Sequence, residues 1–159
     1  MKANFILVVL LAISVGFVSC DTKEEQPEEE VLSVSYLHSG GMNGFFLEMT
    51  FTAKTTHFHH QYYDTGDNFK KKEVEVNKTT PNKLWKSLLD KCDLDILEKV
   101  KSGKSYIPVD GTDEVFTVKI KEKELSFTNG YGVEYEQIHD FIDIIEEQVQ
   151  QYQSKYPAK

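Results

Sequence analysis

The chain has 159 residues, one domain's worth once targeting segments are set aside. Its formal charge of −8 sets it against phosphate backbones, so nucleic acid is not an expected partner. Two cysteines, Cys20 and Cys92, give no disulfide framework once the first is committed elsewhere, and an exported domain would then depend on its core.

Residues 1–19 read as a signal peptide. Lys2 supplies a short positive start, and Phe5 to Val18 is a nearly unbroken apolar run, too short for a spanning helix of ~20 residues. The run ends in Phe17-Val18-Ser19-Cys20, which resembles the lipobox of bacterial lipoproteins. That resemblance implies a diacylglycerol group on the Cys20 thiol, cleavage before it and a membrane anchored through lipid. Phe17 stands where the pattern prefers Leu. Residues 20–30 then form the lipidated cysteine and an acidic tether, Asp21 to Glu30, with no apolar side chain to bury. Lys23, Glu24 and Glu25 resemble the lysine-plus-acids signal that sends some Gram-negative lipoproteins to the cell surface. The expected location is therefore the outer membrane, at its exterior.

Residues 31–159 read as a single α+β domain. Val34 and Tyr36 alternate with Ser33 and Ser35, and Leu32 shares their parity. Phe45, Leu47, Met49, Phe51 and Ala53 alternate with Glu48, Thr50 and Thr52. Both runs predict half-buried strands. Ser39 to Gly44 between them carries the glycines of a hairpin turn. Thr56 to Tyr63 predicts a third strand, Phe58 and Tyr62 inward and His57, His59 and Gln61 outward. Asp64 to Asn68 is a turn, and Val74 and Val76 predict a short edge strand among lysines and glutamates.

Thr80 is expected to cap a helix with Pro81 at its first position and Leu84, Trp85, Leu88, Leu89 and Cys92 on one face. Asp93 caps a second short helix. Phe116, Val118 and Ile120 pair with Leu125 and Phe127 across Lys121-Glu122-Lys123. Ile138, Phe141, Ile142, Ile145, Val149 and Tyr152 form the apolar stripe of a last helix. The economical assembly is an antiparallel sheet of five to six strands with two helical segments packed on one face.

His57 and His59 share a strand face and are candidate Zn, Cu or Ni ligands, although remote Asp64, His38 and His139 would have to complete the set. Incidental histidines on a solvated face are the plainer account. Met42, Asn43 and Phe46 at the first hairpin are candidate contacts for a protein partner. No nucleophile–base pattern is present, Cys92 lies on an apolar stripe, and no cofactor signature appears, so the domain is not expected to be an enzyme.

Ser39-Gly40-Gly41 closing the first strand, the aromatic-led second strand, the Leu/Trp helix, Asp110-Gly111 before a late hairpin and the final amphipathic helix resemble the emfourin-type bacterial inhibitors of metalloproteases. The likeness spans Val31 to Gln151 and is one of layout. The His/Tyr-rich third strand and the Lys-rich return toward Val76 depart from it, and no inhibitory residues carry over. The compact anchored domain, the long acidic tether and the lack of a catalytic constellation point to a protein-binding lipoprotein, a protease inhibitor or an immunity-type protector; the resemblance bears on the first of these two roles. The alternatives are a metal- or small-ligand-binding lipoprotein using His57 and His59, and an accessory subunit of an envelope complex.

Overall fold

A computed structural model describes residues 31–107, 111–121, 123–130 and 135–159. The signal peptide, Cys20, Lys23, Glu24, Glu25 and Asp110 lie outside the described residues. The fold is α+β. The strands are β1 (Val31–Gly40), β2 (Phe45–Phe51), β3 (Thr55–Asp64), β4 (Lys70–Thr79), β5 (Thr112–Ile120) and β6 (Glu124–Asn129). The helices are α1 (Asn82–Lys91), α2 (Leu94–Leu97) and α3 (His139–Lys155), the last entered through a 3-10 turn at Glu136–Ile138.

The strands form one antiparallel sheet in the order β4-β3-β2-β1-β5-β6. Alternation sends one set of side chains under the helices. Val34, Tyr36, Leu47, Met49, Phe51, Phe58, Phe116, Val118, Ile120 and Phe127 are buried there. Phe141, Ile142, Ile145 and Val149 of α3 and Leu88 of α1 close over them. Phe116 stacks on Phe127 at 5.3 Å, and Tyr152 of α3 meets Phe58 at 5.5 Å. Each fully buried side chain of this size contributes roughly 1.5–3 kcal/mol.

Three local expectations need correction. Leu32 is 41% exposed, because the β1–β5 register shifts between Val31 and Ser33 and turns that side chain out of the stripe. Thr80 does not cap α1. Its hydroxyl is buried against Thr56 Oγ1 at 2.9 Å, and Pro81 occupies the cap position with no side-chain bond. β4 is a full ten-residue strand rather than a short one, paired along its length with β3. Asp93 does cap α2, its Oδ1 accepting from the Ile96 amide at 3.0 Å.

Both sheet edges carry a companion segment. At β6, the Gly103 amide donates to the Thr128 carbonyl at 2.8 Å and the Thr128 amide to Ser102 Oγ at 3.1 Å. At β4, the Glu73 amide donates to the Lys159 carbonyl at 3.4 Å.

Candidate functional site

Val31 begins β1 at one end of the sheet, and the β1–β2 and β3–β4 turns lie at the other. Glycine permits the first turn. Gly40 sits at φ +122°, where an added Cβ would meet the Gly111 carbonyl oxygen at 2.7 Å. The Gly41 amide donates to that same oxygen at 3.0 Å, and the Tyr63 amide donates to the Asn43 carbonyl at 2.8 Å. The turn is thereby held between β3 and the loop before β5. At its apex Met42 is 87% exposed.

The second turn is built without glycine at its tightest point. The Asp67 amide donates to the Asp64 carbonyl at 3.2 Å, and the Lys70 amide to the Asp67 carbonyl at 3.0 Å. Asn68 and Phe69 both have positive φ, +51° and +57°, the pattern of a type I′ turn. A bulky residue in that region is an outlier, and Phe69 is also 64% exposed. Tyr63 flanks Gly44, while Ile107 and Tyr106 flank Gly40 and Gly111. Among the described residues, the exposed large apolar side chains are Met42, Tyr63, Phe69, Tyr106 and Ile107 at this end, and Leu32 and Leu89 elsewhere. Two hairpin tips and a loop thus present exposed apolar side chains at one end of the sheet.

The three residues expected to contact a partner divide between two surfaces. Met42 and Asn43 lie on the first turn. Phe46 projects from the uncovered face of the sheet, its ring 5.2 Å from that of His59. His57 and His59 lie on that same face, and cross-strand carboxylates engage both. His57 Nε2 is 3.1 Å from Glu75 Oε1, and His59 Nε2 is 2.9 Å from Glu73 Oε1. Lys71 Nζ approaches the other Glu73 oxygen at 2.8 Å. Bonds from Lys71 and His59 hold the Glu73 carboxyl below the usual range. Asp64, His38 and His139 are not brought to the pair, and no group of three or more His, Cys, Asp or Glu suited to a metal forms among the described residues.

A polar network under the helical layer has no counterpart in the sequence reading. Tyr36 donates to Glu114 Oε1 at 2.6 Å, and Asn129 Nδ2 donates to Glu114 Oε2 at 2.8 Å. His38 Nε2 lies 2.7 Å from Thr112 Oγ1. Burial, then the Glu114 charge, raises the Glu146 carboxyl on α3. Beside this network His60 projects inward among Phe45, Phe58 and Tyr62, and both its ring nitrogens are shielded without a partner among the described residues. Burial first, and the neighbouring His59 second, lower its pKa. Tyr36 and Glu114 are 78 residues apart, so no local pattern announces their bond.

Cys92 packs beside the core, and burial pushes its thiol up to about 11, which keeps it protonated and unreactive at neutral pH. No helix among the described residues is long and apolar enough to cross a membrane. Comparison with known proteins gives no matching family model and no matching curated protein.

Proposed function

We propose that this chain is a lipid-anchored bacterial lipoprotein, attached through Cys20 at the outer surface of the outer membrane, whose domain binds another protein without catalysis. The observation that carries the reading is the set of exposed apolar side chains at one end of the sheet, Met42, Tyr63, Phe69, Tyr106 and Ile107. Exposed apolar side chains gathered at one site mark interaction surfaces, whereas scattered ones do not. The polar groups elsewhere are largely turned to one another: His57 to Glu75, His59 to Glu73, Tyr36 and Asn129 to Glu114. Inhibition of a protease is the activity class that the emfourin-like layout adds, and protection against a toxin is the other role open to an anchored, non-catalytic binding domain.

The test is site-specific photo-crosslinking in the producing bacterium. A photoreactive residue at Met42 should yield one discrete protein adduct, and one at Lys86, exposed on α1, should not. Equal labelling from both sites, or none from Met42, would defeat the reading.

A further inference from the structure

We infer that Phe69 is a preformed aromatic knob for an apolar pocket on the partner protein, and that this pocket is met on the side of the domain facing away from the anchoring membrane. The inference rests on the protein-binding reading and specifies its partner.

Phe69 holds φ +57° in a position that glycine fills most comfortably, yet its side chain is 64% exposed. Its ring adds no core burial to offset the unfavourable backbone. Strain that serves no packing is found where a side chain must be presented. The support for the ring is rigid. Asp64 and Asp67 carbonyls close the two successive turns, Asp64 Oδ1 accepts from the Gly66 amide at 3.0 Å, and Asp67 lies 3.6 Å from Lys72 Nζ. A turn whose backbone is already closed has little main-chain freedom left to lose on docking, which favours tight binding. Aromatic anchors of this kind dominate interface energetics when a pocket desolvates them.

Direction follows from where the chain enters. The acidic tether joins β1 at Val31, and β1 runs ten residues, about 33 Å, to the turn that carries Met42. Residues 21–30 span at most about 35 Å when fully extended. The knob and the point where the tether enters at Val31 therefore lie at opposite ends of the sheet. A partner embedded in the same bilayer would require the domain to invert on a taut tether. A protein in the aqueous phase requires nothing of the kind.

The experiment places the photoreactive residue at Met42 in the full chain and compares three backgrounds. Phe69→Gly should cut the adduct roughly tenfold, the loss expected of an interface anchor. The same substitution should raise the Tm of the purified chain by about 2–4 °C, because glycine relieves the left-handed backbone. Phe69→Leu should retain part of the adduct. Residues 21–159 exported behind a cleavable signal, without the lipid, should form the same adduct, recovered in the soluble fraction without detergent. An undiminished adduct in Phe69→Gly would overturn the knob while leaving protein binding in place. An adduct that requires the anchor, or that partitions as an integral membrane protein, would overturn the direction. Absence of any adduct from Met42 would bring down the binding reading itself.

Discussion

His60 lies on the inward parity of β3, so imidazole occupies a place that Phe or Leu would fill without polar cost. A half-buried ring whose nitrogens find no partner among the described residues disfavours the proton, and its lowered pKa makes the unfolded chain the better proton acceptor. Stability from this residue is fully present above about 6.5, its ordinary value, and is lost as pH falls through the folded value. His60→Phe should therefore flatten the Tm profile below pH 6.5, as followed by thermal unfolding at a series of pH values; an unchanged slope would clear His60 of the effect. Glu146 acts with the opposite sign. Its carboxyl is raised, so its contribution is largest below about 4.5 and is lost as pH rises through the folded value. Glu146→Gln should raise Tm at pH 7 and leave it nearly unchanged at pH 4. Gly40→Ala places a Cβ 2.7 Å from the Gly111 oxygen at φ +122°, and a loss of at least about 1 kcal/mol in denaturant titration is expected.

Among the elements, those with one wet face were legible in the sequence. β2 and α3 carry their periodicity on the surface of the sequence, because burial of one face is the term that dominates their placement. What escaped was set by distant neighbours. Leu32 fits the alternation of Val34 and Tyr36, and only a shift in pairing with β5, more than eighty residues on, turns it out. Thr80 resembles a helix cap, but the Thr56 hydroxyl offers it a buried partner instead. The alternating Val74 and Val76 marked β4, yet its flanking lysines concealed its length because an edge strand needs little burial to pair. The apolar end was half visible. Met42 was marked by its turn, whereas Phe69 sits beyond a run read only as turn chemistry, and Ile107 reaches the site through packing against Gly40. Asp93→Ala should cost about 1 kcal/mol, since α2 would lose its cap; a change within error would show that packing of Leu97 alone holds that turn.

For the whole molecule, the two faces of the sheet have separate tasks. The helix-covered face supplies the cohesion, and Phe58→Ala there should cost about 3–5 kcal/mol. On the open face His57 and His59 are already engaged by Glu75 and Glu73, so saturating Zn should leave Tm unchanged in wild type and in His57→Ala alike. A rise confined to wild type would restore His57 and His59 as ligands. β1 also fixes how the domain bears load. It is the strand joined to the tether, and it is bonded on both sides, to β2 and to β5. If a partner holds the Met42–Phe69 end while the tether pulls on Val31, the force runs along β1 and shears two ladders at once instead of peeling one open. The domain is then a mechanical clamp, expected to unfold at markedly higher force when pulled from Val31 against Met42 than when pulled across β4 and β6, where the ladders can unzip bond by bond.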